Sequence, residues 1–392
     1  MFCKPCAGGR NGHIICYPID SSLKALLSSL KFVVGKPNVL DKDRFIARLL
    51  EIIDNEVHTN DGPFVRELEV ALANYLGVPH CVAVANATLG LELVLNALPR
   101  KGQVIVPSFT FIASAHAIVR TGHTPVFVDV DSRGLIDPQA VAAAVGPETV
   151  AILPVNLFGL VCDVERLSDI ASSAHARLIY DSAHALGVRS NGKNVGGFGW
   201  AEVFSLHATK VVSGFEGGFV TTSDGELARV LREARNFGFD KKGVIVALGT
   251  NAKMSEVHAA MALTNLEKID WIIEHNAANF CVYQSELSEL CALIEPQEGE
   301  SSNYQYVPVI VATSDLRDKV FAKLIAKGIA AKIYFSPGVH STVPYIRNNI
   351  CRSHDLSRTI DISSRIICLP TGVHVDASGV RAIAQIFNEA LL

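Results

Sequence analysis

The middle of the chain alternates short apolar runs with amphipathic patterns, and this alternation limits the possible folds more than any other feature. Several of the runs are apolar throughout, which is typical of strands buried on both faces of a sheet. The alternation predicts an α/β fold around a doubly wound, mostly parallel sheet of seven strands. The predicted strands are 81–85, 103–107, 124–130, 150–155, 177–181, 202–206 and 218–222, and the predicted helices around them are 64–76, 89–97, 113–121, 138–145, 164–175 and 225–237.

The pattern changes after Ser255, a residue type that favours helix N-caps. Long helical patterns with few strand-like runs follow, which is typical of an α+β unit. We therefore predict an N-terminal tail of unknown role (1–20), a large α/β domain with an N-terminal helical segment (21–255), and a small C-terminal α+β domain (256–392). The elements predicted in the small domain are helices 256–273, 276–290, 315–327 and 377–391 and strands 304–311, 331–334 and 366–369.

The composition excludes several classes of protein. Hydrophobic residues make up 49% of the 392 residues and charged residues 19%, which argues against a disordered chain. The net charge of −4 gives no electrostatic reason to bind nucleic acid or anionic lipid. No uncharged apolar stretch reaches the roughly 18 residues that a membrane helix needs. We expect a soluble, cytoplasmic protein.

The nine cysteines do not have the pattern of a secreted disulfide framework, because they are odd in number and scattered. Cys3 and Cys6 form a single CxxC pair, with His13 and Cys16 nearby. A zinc knuckle is the alternative interpretation of this segment, but no second CxxC pair exists to complete it. We predict no metal site.

Reactive residue types follow several predicted strands. Lys210 lies just past the sixth strand, and Asp181 ends the fifth. Taken alone, the lysine could extend to solvent at the sheet edge and the aspartate could cap the next turn. Together they match the lysine and carboxylate of pyridoxal 5′-phosphate enzymes. Thr88 lies where a helix N-terminus would favour a phosphate, and Ser205 could add a hydroxyl.

From about residue 59 onward, the chain resembles the DegT/DnrJ/StrS sugar aminotransferases, which are fold-type I pyridoxal-phosphate enzymes. Several ordered blocks carry the resemblance, so it is more specific than any single motif. The blocks are 60–63 (NDGP), 85–88 (ANAT), 107–111 (PSFTF), 154–159 (PVNLFG), 181–185 (DSAHA), 204–210 (FSLHATK), 216–218 (EGG), 235–238 (RNFG) and 249–256 (GTNAKMSE).

The resemblance implies a role for each matching residue. Lys210 would form the internal aldimine, Asp181 would bond the pyridine nitrogen, and His184 would bond the ring hydroxyl. The other cofactor-binding residues that it implies are Phe111, stacked on the ring, Ala87, Thr88, Leu89 (through its backbone) and Ser205 around the phosphate, Asn156, and Asn251, which would reach the phosphate in the neighbouring subunit of a homodimer with shared active sites.

The chain departs from the family pattern at three places. The common Ser-Gly-Thr of the phosphate loop is replaced by Asn86, Ala87 and Thr88. Lys253 and Lys332 stand where the family often has arginine. Because lysine cannot make the bidentate contact of arginine, these two changes affect the prediction of substrate rather than that of cofactor.

The resemblance implies an aminotransferase that takes an amino group from an amino acid, with L-glutamate the leading donor. It would pass through a Lys210 internal aldimine and pyridoxamine phosphate, and would aminate a nucleotide-linked keto-deoxysugar. Block 249–256 is most similar to that of 4-keto-6-deoxyhexose aminotransferases. Lys210 is not the histidine of related dehydratases, which favours transamination. The alternatives are an enzyme of the same family acting on a non-sugar substrate in secondary metabolism, and a non-catalytic regulator or scaffold.

Overall fold

The computed structural model of the protein describes residues 30–287, 289–348 and 351–392. The predicted tail, and with it the alternative zinc site at Cys3 and Cys6, lies outside these residues. Among the described helices, none is both long and apolar enough to cross a bilayer. The helices are α1 (Lys42–Asp54), α2 (Pro63–Leu76), α3 (Ala87–Asn96), α4 (Ile112–Arg120), α5 (Pro138–Ala144), α6 (Val164–Ser173), α7 (Gly225–Ala234), α8 (Glu256–Leu266), α9 (Ile269–Glu286), α10 (Ser314–Ala326), α11 (Val343–Asn348), α12 (Ser357–Arg365) and α13 (Ala377–Leu391).

The strands are β1 (Phe32–Val33), β2 (His80–Val84), β3 (Gln103–Pro107), β4 (Thr124–Val128), β5 (Thr149–Ile152), β6 (Arg177–Asp181), β7 (Arg189–Ser190), β8 (Lys193–Asn194), β9 (Ala201–Ser205), β10 (Gly218–Thr222), β11 (Cys291–Leu293), β12 (Glu300–Ser301), β13 (Val307–Val311), β14 (Ile329–Ala330), β15 (Arg352–Ser353) and β16 (Ile366–Leu369). Within the described part of the chain they form one large sheet and three small ones. The large sheet has the order β15-β4-β3-β5-β6-β9-β10-β2, and β11-β13-β16 form a second sheet in the C-terminal part.

The predicted mostly parallel sheet is confirmed and contains all seven predicted strands, but within the described residues it has eight strands rather than seven. Neighbouring strands are parallel from β15 to β9, and β10 runs antiparallel to both β9 and β2. The sequence analysis did not predict the eighth strand, β15. It is a two-residue edge strand that the C-terminal part of the chain adds beside β4, and it is too short to produce an apolar pattern.

The predicted long helix 256–273 is wrong, because the structure divides it into α8 and α9. Lys268 between them has φ −118° and ψ 10°, outside the helical region. The break lets Leu266 and Ile269 pack into the same apolar cluster. It also turns Glu267 toward the buried guanidinium of Arg48, at 2.6 Å. Helix α9 then continues through the start of the predicted helix 276–290 and ends at Glu286.

The core lies on both faces of the large sheet. Val82 and Val84 of β2 belong to one cluster, whereas Cys81 and Ala83 belong to the other, as the alternation of side chains along a strand requires. The second cluster includes residues of α2 and α8, so α8 packs beside the large sheet. A third cluster joins α9, α10 and α13 to the sheet β11-β13-β16. The domain boundary at residue 255 stays a prediction.

In the described part of the predicted N-terminal helical segment, the structure has the helix α1 and, before it, a strand. Residues 32–33 form β1, which pairs in parallel with β14 in the C-terminal part of the chain. The segment between β1 and α1 then passes close to the loop after β9, where the Asn38 amide donates to the carbonyl of Val211 at 3.1 Å. A Cβ on Gly35, which has φ +74°, would lie 3.0 Å from Cβ of Thr209. Close packing against this loop therefore requires extended backbone here rather than helix.

Glu256 ties the start of α8 to the start of α2. It is fully buried, and its carboxylate accepts the backbone N–H groups of Phe64 and Val65 at 2.8 and 2.9 Å. These N–H groups belong to the first turn of α2, where no helical carbonyl can accept them. Gly62 leaves space for the carboxylate, since a Cβ there would lie 2.5 Å from Cδ of Glu256.

We expect Glu256→Ala to lower the free energy of unfolding by about 3 kcal/mol, because two buried N–H groups lose a charged acceptor. Glu256→Gln is the matched control. It keeps one acceptor oxygen, so its loss should be about 1 kcal/mol. Urea unfolding followed by circular dichroism measures both. An alanine variant with the wild-type urea midpoint would contradict this account.

Candidate active site

A cavity of about 300 Å³ lies at the carboxyl ends of β6 and β9 and beside the N-terminus of α3. This is the edge of an open α/β sheet at which ligands bind. Residues from the first half of the chain form most of its wall, and the C-terminal part adds three aromatic side chains. The lining residues are Asn86, Ala87, Thr88, Leu91, Thr110, Phe111, Ala113, Val155, Leu157, Asp181, Ala183, His184, Ser205, His207, Thr209, Lys210, Glu216, Tyr306, Tyr334 and Phe335.

Lys210 is placed at this cavity by the turn that follows β9. Its backbone N–H donates to the carbonyl of His207 at 2.9 Å, and its Nζ donates to Oη of Tyr306 at 3.2 Å. Burial lowers the pKa of the Lys210 amine to about 8, although the carboxylate of Asp181 acts in the opposite direction. An amine with this pKa is partly unprotonated near neutral pH and can act as a nucleophile or a base.

Asp181 is the last residue of β6 and is only 5% exposed. Its Oδ2 accepts the hydroxyl of Ser114 at 2.6 Å, and its Oδ1 accepts the N–H of Ala183 at 3.1 Å. Burial raises the pKa of Asp181, while Ser114, Ala183 and Lys210 oppose that rise. Two donors therefore fix the direction of the carboxylate and favour its ionised form.

His184 is held in one tautomer by an unusual backbone conformation. Its Nδ1 accepts the N–H of Phe158 at 3.2 Å, and Phe158 has a left-handed φ of 56°. Bulky residues rarely adopt this conformation, and such strain is found most often at functional sites. Burial lowers the pKa of His184 well below its usual range, with Lys210 adding to the effect. The ring is therefore neutral, and Nε2 carries the proton that it can donate.

The N-terminus of α3 forms the polar end of the cavity. Ala87 and Thr88 begin this helix, and Ser205 ends the nearby strand β9. The first-turn N–H groups of a helix, together with its dipole, bind phosphate. Gly218 of β10 makes the close approach possible, since a Cβ there would lie 2.6 Å from the backbone N of Ala87. Ser205 Oγ accepts the N–H of His207 at 3.2 Å, so its own proton is available to a ligand.

Leu89 differs from the other predicted phosphate ligands. Its N–H donates to Oδ1 of Asn86 at 2.9 Å, as in an ordinary side-chain N-cap. Leu89 is also absent from the cavity lining. The Leu89 N–H therefore already has a partner within the chain. The role of Leu89 toward a phosphate stays a prediction.

One wall of the cavity is aromatic. Phe111 precedes α4 and is 56% exposed at the cavity, with its ring centre 6.0 Å from that of Phe335. Phe335 also stacks on Phe158, with centres 6.4 Å apart and an angle of 10° between the rings. A planar ring bound between Phe111 and the sheet edge would keep one face away from water.

Besides Leu89, two predicted cofactor residues do not line the cavity, Asn156 and Asn251. Asn156 is fully buried and donates to the hydroxyl of Ser182 at 3.0 Å, so it supports the turn after β6. Asn251 is exposed, and its Oδ1 accepts Nζ of Lys253 at 2.7 Å. Because Asn251 was predicted to serve a neighbouring subunit, its absence from the cavity of its own chain agrees with that prediction without testing it.

The sequence analysis assigned no role to several residues that shape this site. Ser114 contacts Asp181, and its signal was its position one helical turn after Thr110 in the PSFTF block. Glu216 approaches His207 at 3.6 Å at the cavity wall. Tyr306 bonds a lysine 96 residues earlier in the chain, so no local pattern could have indicated it.

The chemistry of these groups fits pyridoxal 5′-phosphate. A nucleophilic amine, a buried carboxylate, a neutral histidine donor, an aromatic wall and a helix N-terminus with two hydroxyls match the aldehyde, ring nitrogen, ring oxygen, ring face and phosphate of that molecule. Within residues 30–287, 289–348 and 351–392, no group of three or more His, Cys, Asp or Glu side chains could hold a metal ion.

Comparison with known proteins gives the same assignment. Residues 40–388 match the DegT/DnrJ/EryC1/StrS aminotransferase family. The chain belongs to this family. Its members have the fold-type I architecture, so the predicted family and fold class are both confirmed. The DegT/DnrJ/EryC1/StrS family is pyridoxal-phosphate-dependent.

The relatives of this family member include nucleotide-sugar enzymes. The dTDP-4-amino-4,6-dideoxy-D-glucose transaminase of Shigella dysenteriae is 35% identical over 362 residues, covering 91% of this chain and 98% of the relative. The GDP-perosamine synthase of Caulobacter vibrioides is 34% identical over 310 residues, covering 76% and 82%. The solved structure of DesI in the presence of its TDP-sugar product superposes with a TM-score of 0.87 at 41% identity, covering 92% and 93%.

Glu202 is a second buried carboxylate, one strand away from Asp181. Its Oε2 accepts the hydroxyl of Ser182 at 2.7 Å, and its Oε1 accepts the N–H groups of Gly196 and Phe198 at 2.8 and 2.6 Å. Burial raises the pKa of Glu202 to about 7, although the three hydrogen bonds oppose that rise. The carboxylate joins the turn after β6 to the loop before β9.

We expect this group to make the folded state less stable as pH rises from about 4.5 to about 7, because the unfolded chain ionises Glu202 first. At about 1.4 kcal/mol per pKa unit, the ionisation of Glu202 lowers the free energy of unfolding by about 3 kcal/mol over this pH range. Glu202→Gln removes the charge: its amide oxygen can still accept the N–H groups of Gly196 and Phe198, and its NH2 can donate to the Ser182 hydroxyl, which now donates to Glu202. Relative to wild type, its free energy of unfolding should therefore rise between pH 5 and pH 8. An equal gap at both pH values would contradict the assignment.

Proposed function

We propose that this chain is a pyridoxal 5′-phosphate-dependent aminotransferase that moves an amino group from L-glutamate to a nucleotide-linked keto-deoxysugar. The observation that carries the proposal is the convergence, in one cavity, of the Lys210 amine, the Asp181 carboxylate and the N-terminus of α3. Burying an amine and a carboxylate costs free energy, and perturbed groups of this kind cluster at catalytic sites. A scaffold or regulator would have no use for them.

The residues of the cavity divide the work of this reaction. Pyridoxal 5′-phosphate, when bound, supplies an electron sink conjugated to the reacting carbon. Lys210 would hold the cofactor covalently and, once released from it, would move the proton from the α-carbon of the amino donor. Asp181 would keep a proton on the ring nitrogen, and His184 would donate its Nε2–H to the ring oxygen. Thr88 and Ser205 would bind the phosphate.

The acceptor in this proposal is a 4-keto-6-deoxyhexose linked to a nucleoside diphosphate. Block 249–256 is similar to that of 4-keto-6-deoxyhexose aminotransferases, and the Shigella relative is named for a 4-amino-4,6-dideoxy sugar nucleotide. The relatives include both dTDP and GDP sugars, so the base is a matter for experiment. Lys253 and Lys332, in place of arginine, keep a non-sugar ketone as the alternative.

The proposal includes a homodimer with shared active sites. The hairpin around residues 237–248 exposes a run of apolar side chains, among them Phe237 at 47%, Ile245 at 66% and Leu248 at 99%. An exposed apolar patch of this kind marks an interaction surface. Asn251 follows directly after it and lies outside the cavity of its own chain. A second copy would cover the hairpin and receive this asparagine.

Absorbance spectroscopy of the purified protein with pyridoxal 5′-phosphate tests the cofactor and the lysine. We expect a visible band that L-glutamate bleaches, and no such band in Lys210→Ala. Lys210→Arg is the matched control, because it keeps the positive charge without a nucleophilic amine. A wild-type protein that forms no band would refute the proposed function. A band that ignores glutamate would refute the donor.

The pH dependence of cofactor attachment tests the environment of Lys210. Attachment needs the unprotonated amine, so the rate should rise about tenfold per pH unit and level off near the pKa of about 8. Asp181→Asn should shift the midpoint to lower pH, because the carboxylate raises the pKa of Lys210. A midpoint near 10.5 in the wild type would show an ordinary solvated lysine.

A panel of acceptors tests the substrate class. The protein loaded with cofactor and glutamate is offered dTDP- and GDP-linked 4-keto-6-deoxyhexoses, a 3-keto isomer, and simple keto acids. Mass spectrometry reports the aminated product. We expect amination of a 4-keto sugar nucleotide at a rate at least about tenfold above that of any keto acid, because only the sugar nucleotide can use binding energy remote from the reacting carbon. Amination of keto acids alone would support the non-sugar alternative.

Mixed dimers test the sharing of sites. Lys210→Ala and Asn251→Ala are each expected to lower activity, and coexpression of the two chains should restore about a quarter of it, because half of a random mixture carries one intact site per dimer. Light scattering gives the mass of the assembly. Activity no higher than the average of the two parent variants would show that each site is complete within one chain.

A further inference from the structure

Tyr306 is a residue of the C-terminal part of the chain that reaches the reactive lysine. It directly precedes β13, and its Oη accepts a hydrogen bond from Lys210 Nζ at 3.2 Å. Neither the sequence blocks of the family resemblance nor the implied cofactor contacts include it. Among the described residues, Tyr306 is the one hydrogen-bond partner of the Lys210 side chain.

Aromatic packing on several sides fixes the ring of Tyr306. It stacks on the imidazole of His184, with centres 4.3 Å apart, and it meets Tyr334 edge to face at 6.2 Å. Phe158 lies 6.0 Å away on another side. The residue is 3% exposed. Its hydroxyl therefore has a defined position, and the lysine amine can form a hydrogen bond with it while the ring stays in place.

The phenol is suited to bond the lysine in either of its charge states. Burial raises the pKa of Tyr306 above its usual value, so the hydroxyl is neutral near neutral pH. A neutral hydroxyl accepts a hydrogen bond from an ammonium group and donates one to an amine. With a pKa of about 8, Lys210 populates both states near neutral pH. Phenylalanine could serve neither.

We propose that Tyr306 is a positioning residue. It holds the Lys210 amine whenever the amine is not bonded to the cofactor, and it directs the amine toward the carbon atom with which Lys210 exchanges the proton. This rests on the proposed function. In a transamination, the lysine is displaced when the amino donor binds, and it must then take a proton from one carbon and return it to another. A flexible amine without a fixed partner would lose the orientation that such a transfer needs.

The test compares Tyr306→Phe with wild type in the full chain loaded with pyridoxal 5′-phosphate. The substitution keeps the ring and its packing on His184, and it removes only the hydroxyl. We expect kcat to fall about tenfold or more, with KM for glutamate and cofactor affinity within about twofold. We also expect the isotope effect of α-deuterated glutamate on kcat to increase, because proton transfer by Lys210 becomes the slower step.

A second readout does not depend on turnover. The full chain is mixed with pyridoxal 5′-phosphate, reduced with borohydride at successive times, and analysed by mass spectrometry for covalent label on Lys210. Tyr306→Phe should be labelled about tenfold more slowly than wild type, because the amine is less well oriented for attack. A structural role for Tyr306 would not change this rate in a protein that keeps its fold and its cofactor affinity.

Tyr283→Phe is the matched control. Tyr283 is also fully buried, and its hydroxyl donates to the carbonyl of Pro370 at 2.8 Å, in the third core cluster away from the cavity. The substitution Tyr283→Phe removes the same hydroxyl group and a comparable hydrogen bond. We expect it to lower the free energy of unfolding about as much as Tyr306→Phe does, while the isotope effect and the labelling rate stay at their wild-type values.

The outcomes separate the inference from the proposed function. If wild type binds the cofactor and reacts with glutamate, but Tyr306→Phe has the wild-type isotope effect and labelling rate, the positioning role is refuted and the proposed function stands. If wild type forms no covalent adduct at Lys210, the proposed function fails first. A Tyr306→Phe variant that loses cofactor affinity in proportion to kcat would show a binding role and would overturn the inference.

Discussion

The arrangement of this site depends on the burial of an amine and a carboxylate beside one another. Removal from water lowers the pKa of Lys210 and raises that of Asp181, and each charge opposes the shift of the other. Hydrogen bonds also hold both groups in place. Ser114 and the Ala183 N–H donate to the carboxylate, and Tyr306 accepts from the amine. The result is a lysine whose pKa of about 8 lets it act as a base near neutral pH, beside a carboxylate whose ionised form is favoured by two hydrogen-bond donors. A solvated lysine would lack this reactivity.

The sheet brings the two groups together through its strand order. β6 and β9 are parallel neighbours, so Asp181 and the turn carrying Lys210 emerge at the same edge. The antiparallel strand β10 then returns between β9 and β2, and Gly218 lets the N-terminus of α3 approach. The groups proposed to bind phosphate and those proposed to move the proton thus line one cavity because of topology, while the side chains on the two faces of the sheet supply the core.

Most features that depend on residues close together in the sequence could be predicted, and features that depend on contacts between distant residues could not. The buried strands were predictable because a strand covered on both faces must be apolar along its length. Lys210, Asp181 and Thr88 could be placed at one edge of the sheet because each lies at the end of such a strand or within five residues after it. The break between α8 and α9 was not, since Lys268 carries no local breaking signal and the helix ends to satisfy packing in the second cluster. Leu89 could not be resolved either, because Asn86 can cap the helix or leave the N–H free, and only the side-chain geometry decides.

The C-terminal part of the chain completes the site with groups that no strand-end pattern marks. Tyr306, Tyr334 and Phe335 enter the cavity from segments beyond the large sheet, and they surround His184 and Lys210 with rings. These segments also carry Lys332, one of the positions where the chain departs from its family. The same stretch of backbone therefore carries two rings of the cavity wall and a position where the chain departs from its family. In the proposed function, a change of substrate made through Lys332 would have to preserve the packing of Tyr306 on Tyr334, so reactivity and specificity would be joined through this aromatic cluster.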